Sequence, residues 1–322
     1  MWITLLSGLT GLVIAAITLR VLRPLLLKSR IVGKDMNKPG QPEILEMGGL
    51  VIVAGVGLTL LLVLGMHRAW AAEGRMDSIA LSAVLSSLFL VALIGMIDDL
   101  IGVPQPIKAI TPLLAALPLT AAVLGDTTIF LPLLGQLHLG ALYPLIIIPL
   151  GVTGAANATN MLAGFNGLEV GLGLLGTTAL LIIAGLGGNL TVLVILSALW
   201  GALLVLLYFN WYPARIFIGD VGTLSIGALW AASCIVGNFE AAGVIVIIPY
   251  GIDFLLKARK RFPSTGWWGE YRAGKLYCPE HGPVGLAQLI LKLTGGLHER
   301  DLVLVLMGLE ALCGLMAVWL YL

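Results

Sequence analysis

Apolar residues in this chain fall into long blocks separated by short polar segments. Ten blocks stand out, at 1–22, 48–66, 78–97, 107–124, 141–158, 168–186, 190–208, 221–237, 242–256 and 302–321. Each approaches the ~20 residues with which a helix crosses ~30 Å of hydrocarbon. Lipid offers no partner to an open backbone amide, so spans of this kind are helices. Barrel strands would be about 10 residues long and would alternate apolar with polar. The opening stretch MWITLLSGLTGLVIAAITLRVL has neither a basic leader nor a small-residue cleavage site, and so reads as a retained first span. Ahead of the fifth block, TTIFLPLLGQLHLG is apolar but interrupted by Pro132 and Gly135, which predicts a short hairpin. No internal repeat or second domain is visible. The pattern predicts an all-α integral membrane protein of about ten transmembrane helices, forming one domain over 1–322.

Composition agrees. Of 322 residues, 59% are hydrophobic and 11% charged, where a soluble domain carries about 25% charged residues, and the mean hydropathy is +1.04. A net charge of +1 argues against bulk nucleic-acid binding. Cys234, Cys278 and Cys313 form no C-x-x-C pair, so neither a zinc site nor a disulfide framework is expected. Charge placement adds orientation. Counting connections alternately, the odd ones hold 16 of the 18 lysines and arginines, and the even ones only Arg68 and Arg75. The basic side is expected to be cytoplasmic, with both termini outside.

The same parity sorts the polar motifs. KDMNKPGQPEILEMGG (34–49), IDDL (97–100), NATNMLAGFNGLE (157–169), FNWYPARIFIGDVGT (209–223) and the long segment 257–300 all fall on the basic side. Adjacent Asp98 and Asp99 are costly at a membrane edge, because like charges raise each other's pKa unless a cation is near. Lys108, nine residues on, is the candidate counter-charge. Asn157, Asn160 and Asn166 are either helix-end caps or oxygen donors suited to Mg²⁺ or a nucleobase edge. Asp220 is a helix N-cap or a ligand, and Phe217 a core residue or a stacking face. Asn37, Lys38 and Glu46 lie in a Pro/Gly segment that reads as a lid. In the last segment Ala273-Gly274 predicts a hairpin flanked by Trp267, Trp268, Tyr271, Leu276 and Tyr277. Pro283 and Gly295-Gly296 bound an amphipathic helix with Leu286, Leu289, Ile290 and Leu293, expected in the interface. His281 is the candidate imidazole. Glu310, mid-way along the tenth block, fits none of these motifs and keeps a transporter reading open.

Together these motifs, in this order, resemble the polyprenyl-phosphate N-acetylhexosamine-1-phosphate transferases. NATNMLAGFNGLE is close to the eukaryotic form of its motif, and ARIFIGD, DMNK and the paired aspartates also match. CPEHGP is similar to the Cys-Pro-x-His pattern of the eukaryotic and archaeal branch, UDP-GlcNAc:dolichyl-phosphate GlcNAc-1-phosphotransferase. It departs at Glu280 and Gly282, where the eukaryotic form has arginines, and Arg272 or a nearby lysine is the candidate replacement. The resemblance implies transfer of GlcNAc-1-phosphate from UDP-GlcNAc, or from another UDP-N-acetylhexosamine, to a polyprenyl phosphate with release of UMP. It implies Mg²⁺, with Mn²⁺ as a substitute, at Asn160 and Asp220. It places uracil at Phe217 and Asn166 and the diphosphate near Lys108. It puts the reacting phosphates beside Asp98 and Asp99, with His281 catalytic and Asn37, Lys38, Glu46 and Arg272 on the substrate side. A homodimer in a prokaryotic, archaeal-like plasma membrane is also implied.

Overall fold

The computed structural model describes residues 2–70, 76–122, 124–131, 135–263 and 265–322. Arg75 and Pro132 lie outside them. The fold is mostly helical: α1 (Trp2–Ser29), α2 (Leu50–Trp70), α3 (Ser78–Ile101), α4 (Gln105–Ile110), α5 (Leu113–Ala121), α6 (Ile148–Met161), α7 (Leu168–Leu186), α8 (Leu190–Asn210), α9 (Gly219–Gly237), α10 (Glu240–Val246), α11 (Ile248–Arg259), α12 (Leu286–Thr294) and α13 (Glu299–Leu320). Six of these (α1, α3, α7, α8, α9 and α13) are long and apolar enough to cross a membrane, and α10 with α11 makes a seventh if that bent pair is one span.

The expected blocks differ most where proline interrupts them. Block 107–124 is two short helices, α4 and α5, with Pro112 at the break. Block 242–256 is α10 and α11, bent by 58° at Ile247 with Pro249 in the first turn of α11. Proline has no N–H to give and its ring crowds the preceding turn, so the helical ladder stops there. A π-helical turn, Tyr143–Ile147, leads into α6. Three antiparallel hairpins complete the fold: β1 (Val32–Lys34) with β2 (Glu43–Leu45), β3 (Thr128–Leu131) with β4 (Gly135–His138), and β5 (Glu270–Arg272) with β6 (Lys275–Tyr277). The last turns through Ala273 and Gly274, both at positive φ, as a two-residue hairpin requires. Helix starts carry their own caps. Asp77 accepts from the N–H groups of Ile79 (2.9 Å) and Ala80 (3.0 Å), and Asn189 from that of Val192 (3.1 Å).

Helix α9 is the axis of the bundle, packed against α2, α3, α6, α7, α8 and α10. Small residues bring it close. A Cβ on Gly95 of α3 would stand 2.5 Å from Val221 Cα, and one on Gly49 would overlap Gly222. Between membrane helices the gain comes from such backbone approach, because lipid is as apolar as leucine. The contact sets the end of α3 beside the start of α9, which places Asp98 and Asp99 next to Asp220. Helix α12 forms where the amphipathic helix is expected. Leu286, Ile290 and Leu291 are buried. Part of its apolar face packs on α11, α13 and β6, and Leu293 stays exposed.

Candidate active site

The paired aspartates point in different directions. Asp98 accepts the Val103 N–H (2.6 Å) on one oxygen, and its other oxygen is 2.5 Å from Lys108 Nζ. Asp99 turns to α9 and accepts the N–H groups of Asp220 (2.7 Å) and Val221 (3.1 Å). It thereby caps a helix from outside, satisfying two donors that have no partner within α9. Lys108 also pairs with Asp220. The Asn160 amide, assigned with its oxygen toward Lys108 (3.1 Å), donates to Asp220 Oδ1 (2.9 Å) and Thr223 Oγ1 (3.3 Å). Helix α6 is held there by Thr159, which donates to the Thr223 carbonyl (2.8 Å), and by Asn157, which donates to the Ala109 carbonyl of α4 (3.0 Å). Glu46 faces the same charge: burial, and then Asp99, raise its pKa above the usual carboxylate value.

Asp98 and Asp220 thus share a single lysine, with Asp99 beside them on the first amides of α9, so that several carboxylate oxygens converge on one cation. Among the described residues, no three His, Cys, Asp or Glu side chains form a closed metal cage. That donor set fits Mg²⁺, which takes one or two carboxylates and draws its other ligands from water and substrate phosphates.

A second network fixes the loops around this cluster. Asn37 donates to the Gly164 carbonyl (2.7 Å) and accepts from the Gly269 N–H (3.2 Å), joining three of the five motifs. Asn166 donates to Asp35 (3.0 Å) and accepts from the Ala214 N–H (2.8 Å), and its own N–H reaches Glu299 (2.8 Å). Lys38 pairs with Glu299 and, at 3.3 Å, with Asp35. The side-chain oxygens and amide groups of Asn37 and Asn166 therefore already have protein partners. Phe217 is half-buried on an extended segment whose backbone pairs with Leu45 (2.7 Å) and Gly48 (2.8 Å). His281 and Arg272 are exposed on the last segment. His281 Nδ1 lies 2.9 Å from the Gly282 carbonyl, and Arg272 pairs with Glu270 at 2.5 Å. Neither bonds to the Lys108 cluster among the described residues. Sequence reasoning missed Asp35, although DMNK contains it, and Glu299, which looks like an ordinary polar flank before a span. It also missed Asp253, which accepts the Leu286 N–H (2.7 Å) and pairs with Lys257 (2.8 Å).

The structure therefore sets a lysine-bridged carboxylate cluster at one end of a bundle of apolar helices, and the family of sugar-1-phosphate transferases to which such a chain belongs is shown by its relatives. Residues 81–238 match the family model "Glycosyl transferase family 4". A Saccharolobus solfataricus protein provisionally named UDP-N-acetylglucosamine–dolichyl-phosphate N-acetylglucosaminephosphotransferase is 39% identical, over 90% of this chain and 88% of its own length. The enzyme of that name from Dictyostelium discoideum is 27% identical over 97% and 87%. A phospho-N-acetylmuramoyl-pentapeptide-transferase of Limosilactobacillus fermentum is 33% identical over 68% and 67%. The chain belongs to glycosyl transferase family 4.

Proposed function

We propose that this protein transfers GlcNAc-1-phosphate from UDP-GlcNAc to a polyprenyl phosphate of the dolichyl type, releasing UMP at the basic, cytoplasmic face of ten membrane-embedded segments. The observation that carries this reading is the Lys108 cluster, in which Asp98, Asp220 and Asn160 converge beside the capped start of α9. Two anions must meet there. Lys108 neutralises part of their charge, and Asp220 with Asn160 would hold Mg²⁺, which when bound screens the diphosphate and the acceptor phosphate from each other. Phe217 stacks on uracil. Asn166, through Asp35, Glu299 and the Ala214 N–H, positions the wall beside it, and Asn37 and Lys38 tie the first loop over the site. Glu46 faces the reacting end, while His281 and Arg272 meet the sugar–diphosphate side. An acceptor oxygen attacks the β-phosphorus, and the bond from that phosphorus to the bridging oxygen breaks as UMP departs. A phosphomonoester is largely dianionic at pH 7, with a second pKa near 6, so the attacking oxygen needs little help from a base. The test is purified protein with UDP-GlcNAc, Mg²⁺ and a short polyprenyl phosphate, assayed for UMP. Absence of UMP with UDP-GlcNAc, but release with another UDP-N-acetylhexosamine, would reassign the sugar.

Phe217→Ala is expected to weaken uridine-nucleotide binding by ~1–3 kcal/mol, the scale of base–aromatic stacking. Titration calorimetry with UDP measures it, and unchanged affinity removes the stacking role.

Glu310 separates this reading from transport. It is fully buried in α13, and neither carboxyl oxygen has a hydrogen-bond partner among the described residues. Glu310→Gln is expected to leave UMP release within about twofold. Loss of activity there, with Asp220→Ala still active, would favour the transporter.

A further inference from the structure

Helices α1 and α8 pack against each other. Near Gly11 the backbones approach so closely that a Cβ there would stand 2.5 Å from the Ala198 carbonyl oxygen. Further along lies a groove of about 520 Å³, walled by Leu19, Arg20, Arg23, Pro24, Val205 and Phe209. Among the described residues no acidic one lines it. Arg20 and Arg23, three apart, share one face of α1 and are exposed. Arg215 packs on one of the groove's walls, Phe209. Its guanidinium lies 4.4 Å from the Phe209 ring centroid and 4.7 Å from that of Tyr208, held by a 2.6 Å bond to the Tyr208 carbonyl. Among the described residues, none of these three arginines is paired with a carboxylate. Pro24 adds a backbone acceptor, because it has no N–H to give the Arg20 carbonyl one turn earlier.

We propose that this groove is a binding site for an anionic bilayer phospholipid. Its phosphodiester is held by Arg20 and Arg23, with the charge of Arg215 behind Phe209, and an acyl chain lies along Leu19, Val205 and Phe209. Planar guanidinium groups recognise phosphate through paired donors, and an unpaired cluster of them above apolar walls matches a lipid with a charged head and hydrocarbon tail. The carbonyl of Arg20 suits a hydroxyl on such a headgroup. A polyprenyl phosphate acceptor is a poorer occupant. On the function proposed above its phosphate must reach Lys108 and Asp98, and those residues belong to α4 and α3, neither of which lines the groove.

The test uses the full-length protein, delipidated in neutral detergent and titrated with short-chain phosphatidylglycerol or phosphatidylcholine, with binding read by native mass spectrometry. One phosphatidylglycerol is expected to bind at least ~10-fold more tightly than phosphatidylcholine, about the preference two arginines confer at an anionic surface. Arg20→Ala with Arg23→Ala is expected to abolish that preference. Lys28→Ala with Arg30→Ala removes the same charge outside the groove and is expected to keep it. If the first pair fails to fold, Arg23→Gln alone carries the comparison. Equal loss in both pairs would reduce the effect to bulk charge, and no preference in the wild type would remove the site. Displacement of phosphatidylglycerol by saturating polyprenyl phosphate would assign the groove to the acceptor. UMP release by the folded variants, measured in parallel, is expected to persist, so failure of the lipid site and failure of the proposed reaction are told apart.

Discussion

Asp220→Ala is expected to lower UMP release by about 10³-fold or more, the upper end of what removing one preorganised electrostatic partner costs. Three relationships give so large an effect. Asp220 holds Lys108, it accepts from Asn160, and it stands where α9 begins. Without it the proposed oxygen set for Mg²⁺ loses its central carboxylate, and Lys108 is left to Asp98 alone. The fold is expected to survive. The start of α9 is capped by the Asp99 side chain, and the backbone N–H of residue 220 remains to be accepted. Wild-type activity is expected to vanish in EDTA and return with Mg²⁺ or Mn²⁺, while the variant stays inactive at all metal concentrations. Thermal unfolding in detergent separates loss of chemistry from loss of structure. Full activity of the variant in EDTA would sink the metal assignment.

Much of this site was visible in the sequence because its residue types are rare in an apolar chain. Asp98, Asp99, Lys108, Asn160 and Asp220 each interrupt hydrophobic surroundings, and three of them, Asp98, Asn160 and Asp220, stand around the Lys108 ammonium group. Partner choice was not visible. Asp99 binds backbone 121 residues away and Asn166 reaches Glu299 across 133. Contacts of that range depend on where glycines let helices touch, and local periodicity does not report it. Gly95 and Gly49 decide it here, through their approach to α9. The broken segments were missed for a related reason. Hydropathy integrates over a window, so Pro112 and Pro249 vanish into apolar averages although each removes a backbone donor. On α12 the apolar stripe read from spacing includes the exposed Leu293, while the buried Leu291 was not read from it.

The separated contacts of the two aspartates bear on whether the chemistry takes one step or two. A double displacement would make Asp98 or Asp99 a covalent carrier of the sugar phosphate, as carboxylates can be. Both are already engaged. Asp99 uses both oxygens on the first N–H groups of α9, and Asp98 is held by Val103 and Lys108. Either would have to abandon two charge-assisted contacts to attack, whereas the acceptor arrives as a dianion needing only position. Rapid quench of enzyme with UDP-GlcNAc and Mg²⁺ but no lipid phosphate is therefore expected to release no UMP burst, and UMP is expected to appear only once acceptor is added. Asp98→Asn and Asp99→Asn should both lower turnover strongly, by different routes. Asp98→Asn removes a charge from Lys108 and should act on kcat with little change in thermal stability. Asp99→Asn offers an amide N–H₂ to one of two backbone donors, and is expected to lower the unfolding temperature as well, since a lost helix cap costs about 0.5–2 kcal/mol. A stoichiometric burst of UMP without acceptor, with phosphosugar attached to either aspartate, would overturn direct attack. An Asp99→Asn variant as stable as wild type would overturn the capping role.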